Sequence, residues 1–194
     1  MADSPVDARR RDGFEGLSAR DPGGLLAAFA APAAGQAALR GRLDDAGFVQ
    51  AAEEALGFAP PESSRQAATE GERTVFRLGP DHWLAVDEAD AGFGRRLART
   101  HGLIGIDLTS ARSRLRLRGD AARDLLAVSA AVDLRPAAFP VGAFAQTPVG
   151  PATAILHARE AATFDIYIAR SYAASWRVWL DYAGREFGLA LGKD

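Results

Sequence analysis

Arg112-Ser113-Arg114-Leu115-Arg116-Leu117-Arg118 alternates arginine with small or apolar residues, and Gly119-Asp120 follows it directly. Successive side chains of a strand point to opposite faces, so a period of two predicts a half-buried strand, Leu115 and Leu117 inward and four guanidiniums outward. Gly119-Asp120 then opens a helix carrying Leu125, Leu126 and Val128. Upstream, Ile104 to Leu108 reads as a strand. Before it, Thr74 to Leu78 and Trp83 to Val86 are short apolar runs joined by Gly79-Pro80-Asp81-His82, the chemistry of a turn between paired strands. Downstream, beyond a loop with Pro136 and Pro140, come three more strands: Phe144 to Val149, Thr153 to Leu156, and Phe164 to Ile168.

Helices punctuate these strands. Asp44 or Asp45 caps one whose apolar face is Phe48, Ala51, Ala52, Ala55 and Leu56; Gly57 stops it and Pro60-Pro61 prevents its resumption. A weaker helix around Phe93, Leu97 and Ala98 is diluted by Gly92 and Gly94. The last is the clearest, with Ser171 as N-cap and Tyr172, Trp176, Trp179, Leu180, Ala183 and Phe187 on one face, ended by Gly188. Ala37 to Gly41 is a candidate first strand, and Glu62 to Gly71 a polar loop. Strands outnumbering interspersed helices predict an α+β fold, a mostly antiparallel sheet with packed helices. The domain is expected over 36–194. Residues 1–35, rich in Ala, Gly, Pro and Asp, are expected to form an extended arm, with Leu25, Leu26 and Phe29 as its candidate contacts to a partner.

Composition narrows the function. The chain has 194 residues, 48% hydrophobic and 25% charged, enough to bury a core unaided. It has no cysteine, which removes disulfides, thiolate nucleophiles and cysteine-based metal sites. A formal net charge of -2 offers no bulk attraction to nucleic acid or an anionic membrane. No apolar run follows the arginines of the first eleven residues, and Pro22 to Leu39 is broken by Gly23, Gly24, Pro32 and Gly35. A cytoplasmic protein is expected.

No catalytic constellation stands out. His82, His101 and His157 are far apart in sequence and outside any metal-ligand spacing; they read as a turn, a helix end and a strand end. There is no Gly-x-Ser-x-Gly elbow and no phosphate-cradling glycine motif. Arg112, Arg114, Arg116 and Arg118 form a ladder that could follow phosphates, yet no aromatics are interleaved with it. A solvated face, or one paired with carboxylates of another subunit, fits the ladder better, because guanidinium groups make two-point contacts to carboxylates. The Trp176/Trp179 stripe reads as core. No catalytic, cofactor or metal residues are assigned; the four arginines, with Leu25, Leu26 and Phe29, are the candidate partner interface.

Three stretches in order resemble the gamma subunit of heterotetrameric sarcosine oxidase. They are Asp107-Leu108-Thr109-Ser110-Ala111-Arg112 running on through Leu115-Arg116-Leu117-Arg118-Gly119 to Ala121-Ala122-Arg123-Asp124-Leu125-Leu126; Val132-Asp133-Leu134-Arg135-Pro136-Ala137-Ala138-Phe139-Pro140-Val141-Gly142; and Thr163-Phe164-Asp165-Ile166-Tyr167-Ile168-Ala169-Arg170-Ser171-Tyr172-Ala173. Leu78-Gly79-Pro80-Asp81-His82-Trp83-Leu84 is similar to the family's Leu-Gly-Pro-Asp-x-Trp turn. The likeness spans roughly residues 36 to 190. It departs at Val128-Ser129-Ala130-Ala131, where members often carry Gly-Cys.

The resemblance implies the fold of the folate-binding domain of the glycine-cleavage aminomethyltransferase. It also implies an assembly with alpha, beta and delta subunits, acting in sarcosine catabolism and one-carbon metabolism. FAD, FMN, NAD, tetrahydrofolate and zinc would belong to those partners, which would oxidatively demethylate sarcosine or a related N-methyl amine. This chain would be a non-catalytic assembly subunit. The competing reading is a free-standing folate-binding or folate-dependent protein of the same fold, with Asp107 or Asp165 facing the pterin.

Overall fold

The alternating arginine strand lies in the middle of a seven-stranded sheet in the computed structural model, which describes residues 14, 16–20, 25–32 and 34–191. In chain order, β1 (Ser18–Arg20), β2 (Ala27–Ala30) and β3 (Gly35–Arg40) precede α1 (Ala46–Leu56). Then β4 (Ala68–Glu70), β5 (Arg73–Gly79) and β6 (His82–Asp87) lead to α2 (Phe93–Leu97), and β7 (Ile104–Asp107) and β8 (Arg112–Arg118) to α3 (Ala122–Ala127). Finally β9 (Phe144–Val149), β10 (Ala152–Glu160) and β11 (Thr163–Ala169) are followed by α4 (Ala173–Ala183) and β12 (Ala190–Leu191). The larger sheet has the order β12-β1-β2-β8-β11-β10-β9, the smaller β4-β5-β6-β3-β7. All the strand pairs are antiparallel.

Three apolar clusters fix the layers. Leu115, Leu117, Leu156, Phe164, Ile166 and Ile168 of the larger sheet pack with Leu125 and Leu126 of α3 and Trp176 and Leu180 of α4. Leu39, Val75, Trp83 and Ala85 of the smaller sheet pack with Phe48 and Leu56 of α1 and Phe93 and Leu97 of α2. Phe76, Leu84 and Val86 from one sheet meet Phe144, Ile155 and Tyr167 from the other in a middle layer. The order is therefore helices, sheet, sheet, helices, and the central strands are covered on both faces.

Local chemistry explains where the elements stop. Asp45 caps α1, its Oδ1 accepting the Gly47 and Phe48 N–H groups at 2.9 and 3.3 Å, and Gly57 ends the helix at φ 87°. Gly94 does more than dilute α2. A Cβ there would stand 2.6 Å from Thr109 Oγ1 and 2.7 Å from Asp107 Oδ1, so its hydrogen lets the helix sit directly on β3 and the end of β7.

Several expectations are corrected. Within the supposed arm, β1 and β2 belong to the larger sheet, β2 pairing with β8, and Leu26 is buried; residues 1–13, 15, 21–24 and 33 lie outside the described residues. Alanine-rich strands carry little periodicity, and these exist because β8 offers them an edge. The polar loop holds β4 as a hairpin partner of β5. Ser171 does not cap α4: a 3-10 turn, Arg170–Tyr172, leads in, and Tyr172 occupies the cap position without a side-chain bond. His157 is not at a strand end but inside β10, buried.

Candidate functional site

The strand β8 carries its arginines into the layer between the sheets. Leu115 and Leu117 face α3 and α4, so by alternation Arg114 and Arg116 face the smaller sheet. There they meet Asp165 of β11, Arg159 of β10 and Glu88, the residue after β6. The register sets this up, since Asp165 lies directly opposite Arg116.

Asp165 is fully buried and is held at two points by Arg116, Nε to Oδ1 at 2.6 Å and Nη2 to Oδ2 at 2.8 Å. Arg159 Nη1 donates to Asp165 Oδ2 at 3.2 Å and also bonds Glu88. Arg114, 2% exposed, donates to the Pro32 carbonyl at 2.7 Å and places Nη1 2.9 Å from Glu88 Oε1. Three guanidiniums against two carboxylates leave one formal positive charge in a layer that is buried at Asp165 and Arg114 and reaches solvent at Arg159, whose side chain is 29% exposed.

Burial opposes ionisation of Glu88, but the hydrogen bond and charge of Arg114 and the charges of Arg159 and Arg116 outweigh it and hold the carboxyl below its usual range. Donating to the Asp165 carboxylate raises Arg116 against the burial that opposes it. His157, across the ladder from Asp165 and edge-on to Phe76 at 5.1 Å, is pushed down to about 4 by burial and is neutral at pH 7. Tyr167, beneath Arg114, is pushed up by its complete burial. The cluster therefore joins five charged side chains from β8, β10, β11 and the end of β6. Such an arrangement locks two sheets in register; each carboxylate is already saturated by arginine.

The remaining predicted residues are scattered. Arg118 is exposed and Arg112 half-buried, so the four arginines present no common solvated face for phosphates or for a partner. That expectation failed because strict alternation marks two faces without saying that one is wet. Leu26 is core, Leu25 is 54% exposed, and Phe29 is partly buried in β2. Trp176 is fully buried and packs edge-on against Trp179 at 5.0 Å, as core. His82 starts β6, and His101 lies exposed in a turn after α2. Among the described residues no group of three or more His, Asp or Glu could hold a metal, and no helix is long and apolar enough to cross a membrane.

The carboxylates expected to face a pterin do not fit that role. Asp165 has both oxygens committed inside the buried cluster, and exposed Asp107 accepts the Thr109 N–H at 3.0 Å, turning its own loop. Sequence reasoning missed Glu88 and Arg159 altogether. The available signal was a charge inside an otherwise apolar run, Arg159 in β10 opposite the Asp165 strand; Glu88, just after β6, carried none.

The two-sheet architecture defines the class. It matches glycine cleavage system aminomethyltransferase T from Bartonella henselae with a TM-score of 0.55 at 15% identity, over 79% of this chain and 45% of that one. The α+β fold is thus that of the aminomethyltransferase type. A much nearer likeness is to heterotetrameric sarcosine oxidase from Corynebacterium sp. U-96, solved in complex with pyrrole 2-carboxylate: TM-score 0.77, 26% identity, 87% of this chain and 88% of that one. The model of the sarcosine oxidase, gamma subunit family matches residues 40–186, and the chain belongs to that family. No curated protein sequence matches it.

Proposed function

We propose that this chain is a non-catalytic assembly subunit of a sarcosine-oxidase-like flavoenzyme complex. Membership of the gamma subunit family over residues 40–186 carries the reading. The likeness along almost the whole of both chains to a component of a heterotetrameric sarcosine oxidase supports it. The charged groups richest in chemical potential, Glu88, Asp165, Arg114 and Arg116, neutralise one another between the sheets, a use that suits a scaffold.

Its partners in this proposal are alpha, beta and delta chains in the cytoplasm. Those chains hold FAD, FMN, NAD, tetrahydrofolate and zinc, and oxidatively demethylate sarcosine or a related N-methyl amine. The test is to express the chain with an affinity tag in its native cell and identify what co-purifies. A yellow eluate with two larger chains and one smaller supports the proposal. A colourless eluate containing this chain alone overturns it.

A further inference from the structure

The smaller sheet ends at β7, whose outer edge pairs with no strand among the described residues. Ile104 is 69% exposed and Ile106 54% exposed, on the same side of the strand. The register shows which side. Ile104 lies beside Arg40 and Arg40 beside His82, while Ile106 lies beside Ala38 and Ala38 beside Leu84. Leu84 belongs to the buried layer between the sheets. The two isoleucines therefore continue the interior face of their sheet past the point where the larger sheet covers it. The opposite face of β7 is closed, since a Cβ on Gly105 would stand 2.8 Å from the Leu97 carbonyl at the end of α2.

The hydrogen-bonding edge is open as well. Leu108 N–H donates to the Gln36 carbonyl at 2.8 Å, so by antiparallel alternation the amides of Gly105 and Asp107 point away from β3. Proteins usually blunt such edges with proline, lysine or short polar strands. Here β9 carries Pro148, β12 has two residues, and β4 is Ala-Thr-Glu. Among the described residues the β7 edge, four residues long, carries no proline or lysine and displays two β-branched side chains.

Charge says what fits there. Arg112 opens β8 next to the end of β7, its N–H on the Leu108 carbonyl at 3.2 Å, and by alternation it lies on the same face of β8 as Arg114 and Arg116, toward the smaller sheet. Arg112 is half-buried, with no carboxylate partner among the described residues, and burial alone lowers it. Arg40 has only Asp81, at 3.4 Å with both side chains about half exposed. A desolvated guanidinium beside an apolar strip calls for a carboxylate. The one carboxylate on β7 of a second copy, Asp107, lies on the α2 face of the strand and accepts its own Thr109 N–H, so pairing β7 with β7 would bring the same cations to both sides of one ribbon.

We infer that β7 is the docking edge for an extended, apolar and acidic segment of a partner subunit, which pairs with the Gly105 and Asp107 amides, covers Ile104 and Ile106, and sets a carboxylate on Arg112. This rests on the reading of the chain as a subunit. Edge addition of a strand draws affinity from main-chain bonds and specificity from alternate side chains.

The test uses the full chain and the partner chains recovered with it, separated and recombined. Hydrogen exchange of the segment 104–108 is expected to slow on assembly. Ile106→Lys and Arg112→Glu are each expected to weaken association at least about tenfold, a hot-spot-sized loss. Val178→Lys, on the exposed face of α4, is expected to leave it unchanged. Unaltered thermal melting of the isolated variants separates lost docking from lost folding. Wild-type recombination with both variants equally competent overturns the inference and leaves the subunit reading standing. Failure of the wild-type chain to recombine overturns both. Protection of 104–108 already present in the isolated monomer assigns the edge to the chain's own termini, and a dimer dissociated by Ile106→Lys assigns it to a second copy; either outcome overturns the inference.

Discussion

Replacing Asp165 by Asn keeps the shape of the buried cluster and removes one charge. Arg114, Arg116 and Arg159 then face Glu88 alone, and the layer goes from one unbalanced positive charge to two. Asp165 is wholly inaccessible and receives two hydrogen bonds from Arg116 and one from Arg159, so water cannot take its place, although Arg159 keeps part of its side chain in solvent. Removing one partner of a buried pair typically costs about 3–5 kcal/mol. At roughly 2–4 °C per kcal/mol for a domain of this size, Tm should fall by about 6–20 °C. Thermal unfolding of the full chain followed by circular dichroism at pH 7 measures it. The double replacement Arg116→Met with Asp165→Leu returns the layer to one unbalanced charge and should melt above Asp165→Asn. A fall of less than about 2 °C for Asp165→Asn would refute the buried-cluster reasoning, because that is the effect expected of an exposed pair.

Three more outcomes are expected. His157 has its folded value depressed to about 4 from 6.5 by burial, so the unfolded chain binds the extra proton between those values. Stability is therefore full above about pH 6.5 and falls as pH drops toward 4, by up to about 3 kcal/mol; Tm measured from pH 7 to 5 should decline in the wild type and stay flatter in His157→Phe. Glu88, held low by its arginines, adds its own loss only as pH falls through the unfolded carboxylate value of 4.5, below the measured range of pH 7 to 5. Gly94→Ala forces a methyl onto Thr109 and Asp107 and should cost about 1–3 kcal/mol in urea unfolding; an unchanged midpoint would show that α2 shifts freely on β3. Asp45→Ala leaves the first N–H groups of α1 without their cap and should cost about 1 kcal/mol by the same assay, with Asp45→Ser restoring most of it.

Local signals sufficed wherever one segment carried its own punctuation. Asp45 and Gly57 bound α1 because capping and left-handed glycine are properties of a single turn. The runs of β5, β6, β8, β9 and β11 were legible because each holds enough β-branched, aromatic or alternating residues. Motif order also disclosed the family. What stayed hidden was everything defined by a neighbour. β1 and β2 are strands because β8 offers them an edge, and Ala27–Ala30 has no period of its own. The arginines of β8 looked solvated because polarity in a sequence is normally a mark of surface. Only the second sheet, with Glu88 at the end of β6 and Asp165 on β11, turns Arg114 and Arg116 into interior ion pairs. Covalent order and side-chain chemistry determine the helices and tight hairpins, because those bonds close within a few residues. Burial, charge pairing and the unpaired edge at β7 are set by contacts between residues dozens of positions apart, and they emerge only when the two sheets come face to face.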